Sequence, residues 1–505
     1  MKEIILTTIN AKWIHPSLAL RLLKANLGPL EDSCEIIEFA LRQKLEEKIE
    51  PLVSASARET FVAVQRLRII GISVSIWNHS ATTELLKELE KNWIKKPVII
   101  LGGPEVSHLP PDAEIFRYAD YVIRGEGEIA FRELCEDILA GRQLPSVTQP
   151  QFITAGDVDI SKIKSAYHLY TDEDLFKKLI YVEASRGCLF NCDFCLSALA
   201  TELPALAVKN TKRAAVREFP LEPFLAEMDI LIKRGVKTFK FLDRSVNINI
   251  KRAIKILEFF LSACIGVSGK KKSCARETFV AVQRLQDAFP YCPVVHFEMV
   301  PSIFPDELRE TLTLFPPGTL RLEIGIQTLN SEVAARIGRP SNPEKELEAL
   351  CFLREKTHAI IHADLIAGLP GEDLASFGKG FDRLWSVLRG ENTEIQLGIL
   401  KQLPGAPISR HNENFKMRYN PLPPYEIEET SAMSAVDLQR IKNFARFWEI
   451  LVNRKLINLR EIKNVFDKFM ALSDSLLAHF GRNWGIDKDE LQEAVKTKRD
   501  EQLFF

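Results

Sequence analysis

The chain has 505 residues, 46% hydrophobic and 27% charged, an ordinary globular balance and more chain than one core organises. Its 67 basic and 68 acidic residues leave a net charge of −1, which excludes bulk electrostatic attraction to nucleic acid or anionic lipid. No apolar run approaches the ~20 residues of a membrane span, and "MKEIILTTINAKWIHPSLAL" lacks a signal-peptide core. A cytoplasmic protein is expected.

The first 145 residues alternate strand and helix signals, as a parallel sheet with crossover helices does. "EIILTTI" (3–9) reads as a buried strand and "SLALRLLKANL" as the helix after it. "CEIIEFA", "RIIGISVSIW" (68–77), "PVIILGG" (97–103) and "ADYVIRGEGE" (119–128) supply four more strands, and "AFRELCEDILAG" a closing helix. Five strands in this order fit a flavodoxin-like (Rossmann-type) α/β domain over 1–145, with its ligand beyond the strand carboxyl ends.

Residues 146–177 show weak periodicity and turn-forming residues, so they read as a linker. Six further strands follow in 178–408: 179–185, 238–245, 294–300, 320–328, 360–368 and 395–403. Helical segments between them predict a partial (β/α)6 barrel with its chemistry at the strand C-termini. Residues 409–505 read as a helical C-terminal domain. The stretch "ARETFVAVQRL" occurs twice without change, at 57–67 and 275–285. Each copy precedes a strand, away from the expected active faces, and reads as a duplication on an inert surface.

The first barrel strand runs straight into "EASRGCLFNCDFCLSA" (183–198), which places Cys188, Cys192 and Cys195 in a C-x3-C-x2-C run. The chain has nine cysteines, an odd number and otherwise scattered, unlike a secreted disulfide framework. A structural zinc site wants four closed ligands, and a redox disulfide leaves the third thiol idle. An iron–sulfur cube is held by thiolates, and with three of them one iron keeps an open position.

This run, after the first strand of a βα series, resembles the radical S-adenosylmethionine (radical SAM) superfamily. The resemblance covers about 178–408. It implies a [4Fe–4S] cluster on Cys188, Cys192 and Cys195, whose open iron chelates S-adenosylmethionine. Reductive cleavage there gives a 5′-deoxyadenosyl radical. It also implies an adenine contact at Phe194 and, in "FLDRSVN", Asp243 near the methionyl amino group. Glu298 and Gln327, at two strand ends, are expected to touch ribose or carboxylate. "HADLIAGLPGE" (362–372) resembles the fifth-strand motif, where Gly368 and Gly371 are expected to let backbone approach the adenine.

"VIILGGPEVS" and "ADYVIRGEGEIAF" resemble the cobalamin-binding domain of cobalamin-type radical SAM proteins. Gly102 and Gly103 would admit the corrin against a strand end. Asn10, His15, Ser73 and Asn78 are expected to face the same crevice, with Gly125 and Glu126 closing its other side. The Asp-x-His-x-x-Gly cobalt-ligand motif is absent from "NAKWIHPSL", so cobalt ligation by His15 is not expected from the motif. The C-terminal region resembles the tail of one branch of these proteins, as a lid or as a stabilising cap.

The implied activity is methylation of an unactivated centre of a small-molecule substrate, with a low-potential electron donor such as ferredoxin or flavodoxin. An oxidative cyclase related to those of anaerobic chlorophyll synthesis, and a non-catalytic cobalamin or redox sensor, are the alternatives. A methylthiotransferase is disfavoured. It would need three N-terminal cysteines for a second cluster, and only Cys34 and Cys135 precede residue 146.

Overall fold

The computed structural model describes residues 2–57, 67–93, 96–142, 149–196, 216–265, 292–339 and 341–500. The chain divides into two compact units. Unit 1 comprises Met1–Gly187, Leu199–Leu242 and Leu403–Gly405; unit 2 comprises Cys188–Ala198, Asp243–Gln402 and Ala406–Phe505.

In unit 1, strands β1 (Ile4–Asn10), β2 (Cys34–Ala40), β3 (Ile69–Ser73), β4 (Val98–Gly102), β5 (Tyr121–Arg124) and β6 (Gln151–Thr154) form one sheet in the order β2-β1-β3-β4-β5-β6. All pairings are parallel. Every residue of β1 is buried, as a central strand covered on both faces requires. Helix α1 (Leu18–Ala25) and helix α4 (Gly127–Leu139) supply Leu20, Phe131 and Leu134 to the core on one face. Helix α2 (Leu45–Ala57) and helix α3 (His79–Asn92) supply Leu52, Leu85 and Leu89 to the other. The strand order reverses between β1 and β3, which makes their carboxyl ends the switch point where such sheets bind ligands.

The stretch read as a linker contains ordered structure. β6 extends the sheet, with Arg124 opposite Thr154, and a capping box at Thr171 and Asp174 starts the helix Asp172–Lys177. A four-residue edge strand, half of it exposed, is too short to show a period. Unit 1 also holds β7 (Ile180–Val182), the short antiparallel pair β8 (Ser185–Arg186) and β9 (Arg217–Glu218), and β10 (Thr238–Phe241), which runs parallel to β7. Both copies of the repeated stretch lie outside the described residues, apart from Ala57 at the end of α2 and Leu67. Leu67 is buried in the unit 1 core rather than on a surface.

Unit 2 carries β11 (Val294–Glu298), β12 (Leu320–Gln327), β13 (Ile360–Ala367) and β14 (Thr393–Ile399), paired in parallel in that order. Phe297, Leu322, Ile324 and Leu365 are buried on one face. The opposite face is polar. There His296 meets Glu323 at 3.2 Å and His362 meets Glu394 at 3.0 Å. Parallel sheets are ordinarily apolar on both sides, so this face marks the place for chemistry.

β15 (Arg418–Tyr419) and β16 (Ile427–Glu429) form a short antiparallel pair. The helices Ala435–Trp448 and Val465–Phe480 pack Phe444, Trp448 and Phe466 around Phe381 of the helix Leu374–Leu388. The helical reading of the C-terminal region therefore stands on an aromatic core.

Candidate functional site

In unit 2 the cysteine loop is a tight turn. The Cys195 N–H donates to the Cys192 carbonyl at 3.0 Å, and the Phe190 N–H approaches Cys188 Sγ at 3.5 Å. Cys192 is buried; Cys188, Phe194 and Cys195 are half-buried. Burial pushes the Cys188 and Cys192 thiols up, while Arg339 pulls Cys192 back. No group of three or more His, Cys, Asp or Glu among the described residues closes on a single metal ion. A four-iron cube spreads its thiolates over separate irons, so it does not need that convergence.

Beside the thiols stands Arg339, which follows the helix Ser331–Arg336. Arg339 Nη1 lies 3.8 Å from Cys192 Sγ, and Arg339 Nη2 donates to the Gly325 carbonyl. Strand β12 has a register shift between Gly325 and Gln327, and Gln327 has φ 68°. An irregularity of this kind re-aims a side chain. Here it leaves Gln327 Oε1 buried without a partner, as is Arg339 Nε. Arg339 links the Cys192 thiol to this strand end, and the two unpartnered atoms are what a ligand carrying both an anion and hydroxyls would satisfy. Glu298, at the end of β11, pairs with Arg244 at 3.6 Å, and Asp243 beside it is 4% exposed.

Gly368 and Gly371 both have positive φ, 87° and 79°, and close neighbours on the side a Cβ would take. A Cβ on Gly368 would come within 2.6 Å of Ile427, and one on Gly371 within 2.9 Å of Phe415. That space is filled by the chain's own side chains, which gives both glycines a packing reason of their own.

In unit 1 a cavity of about 280 Å³ opens at the carboxyl ends of β3, β4 and β5. Ser73, Gly102, Gly103, Gly125 and Glu126 line it as expected, against Leu22 and Phe131 of the covering helices. Gly103 has φ 104°, and a Cβ there would lie 2.6 Å from the Val74 carbonyl oxygen. Gly102 differs: a Cβ would meet only the Ile123 carbonyl oxygen, at 3.8 Å. The chain itself leaves room for a side chain there, so glycine at 102 keeps the cavity open. Ser107 Oγ joins the two glycine turns, donating to the Gly103 carbonyl at 2.9 Å and accepting from the Gly125 N–H at 3.3 Å. The rim is charged, with Arg186 bound to Glu128 at 2.6 Å and to Glu183 at 3.0 Å.

Asn10, His15 and Asn78 are not among the residues lining the cavity. Asn10 Nδ2 donates to Glu38 at 3.0 Å. His15 Nδ1 is bonded to the Tyr181 hydroxyl at 2.9 Å, and burial, with Lys12 and Lys240, lowers its pKa. The Asn78 amide is fully buried, donating to Thr8 Oγ1 and the Ile9 carbonyl. All three hold the loops after β1 and β3 in shape.

The profile of the B12 binding domain matches residues 5–135, and that of the radical SAM superfamily matches residues 182–384. The chain carries a B12-binding domain followed by a radical SAM domain. It is 30% identical over 185 residues to a protein of Pyrococcus horikoshii described as an uncharacterized methyltransferase, covering 34% of this chain and 38% of that one. It is 24% identical over 297 residues to the ribosomal protein uS12 methylthiotransferase of Chlamydia felis, covering 58% and 54%. The chain thus spans from about a third to about half the length of these relatives.

Among solved structures, the radical SAM methyltransferase TsrM of Kitasatospora setae, with cobalamin and a [4Fe–4S] cluster bound, superposes with a TM-score of 0.54. The identity is 16%, covering 81% of this chain and 74% of that one. The cobalamin-dependent radical SAM enzyme OxsB superposes at 0.61, with 15% identity and 99% and 75% coverage. At these identities the likeness is one of fold.

Sequence reasoning missed two sets of residues around the cysteine loop of unit 2. One is Arg339 beside Cys192. The other is His411 and Arg410, which bind the buried Asp193 between two of the cysteines. Nothing in their local sequence distinguishes them from surface residues. For Asp193 the signal was its place inside the cysteine run.

Proposed function

We propose that the protein is a cobalamin-dependent radical SAM methyltransferase acting on an unactivated centre of a small molecule. The observation that carries this reading is the Arg339 guanidinium at the three-thiol loop, with its buried Nε and the buried Gln327 Oε1 of the strand end it bonds both unpartnered, in a chain that also has a glycine-floored cavity. When bound, the cofactors supply a radical at carbon and a transferable methyl group. The residues hold and orient them. Cys188, Cys192 and Cys195 ligate a [4Fe–4S] cluster. Arg339 meets the carboxylate of S-adenosylmethionine, Asp243 its amino group, Gln327 and Glu298 the ribose, and Phe194 the adenine. Ser73, Gly102, Gly103, Gly125 and Glu126 receive part of the cobalamin. A ferredoxin or flavodoxin would supply the electron.

The methylthiotransferase relatives raise a second reading, and one observation counts against it. Cys34 and Cys135 are fully buried in the apolar core of unit 1, where burial pushes the Cys34 thiol up to about 12. Such thiols are inert rather than ligands of a second cluster. No helix among the described residues is long and apolar enough to cross a membrane.

The test is anaerobic purification with cobalamin supplied, then iron, sulfide and corrinoid analysis with UV–visible spectra. Reductant and S-adenosylmethionine should then yield 5′-deoxyadenosine by mass spectrometry; an intact cluster that yields none sinks the reading. Gly102→Leu probes the other cofactor. The fold tolerates a side chain at 102, so cobalamin affinity should fall about tenfold or more with iron content unchanged. Equal corrinoid titrations for both proteins would exclude this cavity.

A further inference from the structure

A single segment after β14 holds two of the loops that surround the cysteines. Asp193 is 3% exposed, and its carboxylate accepts from His411 Nε2 and from Arg410 Nη2, each at 2.7 Å. Its backbone N–H donates to the Ile337 carbonyl at 2.9 Å, and its carbonyl accepts from the Ile408 N–H at 2.8 Å. Ile408, Arg410 and His411 all belong to the short turn Pro407–His411. The His411 ring meets Phe415 edge-on at 6.0 Å. Phe415 carries the Arg336 guanidinium at 4.9 Å and fills the space beside Gly371, while Ile427 fills that beside Gly368. Between 407 and 427, therefore, the chain grips both the cysteine loop and the loop after β13.

A carboxylate costs several kcal/mol to bury unless it is fully paired. Here one lies between two ligands of the cluster, pinned by two cationic or hydrogen-bonding side chains and two backbone bonds. Outer contacts of this kind fix metal ligands in place, and their loss typically lowers metal affinity about 10- to 100-fold.

We propose that residues 407–427 form a strap that sets the geometry of the cysteine loop, with Asp193 and His411 as its positioning residues. The strap makes this part of the C-terminal region a working component of the cluster site rather than a lid or an inert cap. The proposal rests on the reading that the three cysteines hold an iron–sulfur cluster.

The test compares full-length, anaerobically reconstituted wild type with His411→Ala, His411→Gln and Asp193→Asn. Four quantities are measured: the rate of iron loss to a chelator, the reduced-cluster EPR spectrum, the cluster potential by EPR-monitored redox titration, and amide hydrogen exchange of residues 188–196 in the cluster-free proteins. His411→Ala should lose iron several-fold faster, with altered g-values and faster loop exchange. His411→Gln, which retains a donor for Asp193, should restore iron retention, g-values and loop exchange. Asp193→Asn, which leaves Arg410 without its counter-charge, should move the cluster potential to a more positive value. If His411→Ala matches wild type in iron loss, spectrum and exchange, the strap has no positioning role. If His411→Gln is as impaired as His411→Ala, the bond to Asp193 is not its cause. If wild type itself takes up no cluster, the cofactor reading fails, and the exchange data alone decide the strap.

Discussion

Cys188→Ala is expected to remove the iron–sulfur signature and 5′-deoxyadenosine formation together, with the fold retained. Three thiolates are the fewest that hold a cube with one open iron, so two leave a second iron without a protein ligand. Loss of a contact outside the ligands costs about 10- to 100-fold in metal affinity, so loss of a ligand should lower iron content and product at least about a hundredfold. Cys351→Ala is the matched control. Cys351 is half-buried, with Glu355 and Arg354 as neighbours, and its replacement should leave both readouts unchanged. Iron, sulfide and deoxyadenosine per chain check the pair. Full product from Cys188→Ala would mean that a different set of residues carries the chemistry.

The elements legible in the sequence are those whose signal is local. β1 is legible because Ile4, Ile5, Leu6 and Ile9 crowd apolar and β-branched residues into one short stretch, and β12 because Leu322, Ile324 and Ile326 alternate with Glu323, Gly325 and Gln327. The cysteine run is legible because ligand spacing is short-range. β6 is not, since its reason to be a strand is the exposed edge of β5 beside it. The cavity shows both cases. Gly103 is marked by the backbone it must adopt, whereas His15 looks like a free loop histidine until Tyr181, far along the chain, takes its Nδ1.

The contacts that finish the site are long-range, and for that reason they were not legible. Asp193 and His411 are 218 residues apart, and Arg339 and Cys192 are 147 apart. Gly368 and Gly371 show a subtler limit. A glycine tells a reader that something lies close, but not whether it is a ligand or Ile427 and Phe415. In both cases the missing information is which distant segment is folded over the site.

Glu372→Gln is expected to change how stability depends on pH by about 3 kcal/mol. Glu372 is 2% exposed. Its Oε1 accepts from Thr328 Oγ1 at 2.7 Å, and its Oε2 is buried without a partner. Burial pushes the carboxyl up from 4.5 to about 7; the Thr328 hydroxyl opposes this and Asp373 adds to it. The folded state therefore holds a proton that the unfolded chain releases near pH 4.5. Stability from this group is fully present below that pH and is lost as pH rises to about 7, because the charged form must then be buried. A shift of this size corresponds to about 3 kcal/mol.

The glutamine amide of the variant stays neutral throughout. Wild type should thus lose about 3 kcal/mol relative to Glu372→Gln between about pH 4 and about pH 8, read by urea unfolding of the cluster-free proteins. A difference that stays constant over that range would mean Glu372 is ionised in the fold. The residue's position gives the result a bearing on the site. Thr328 directly follows Gln327, and Glu372 directly follows Gly371, so the bond between them pins the end of β12 to the loop after β13. As pH rises through about 7 the carboxylate gains a charge that burial opposes while the Thr328 bond to it favours the charge, so the loss should fall on the stability of the unit as a whole rather than on this tie.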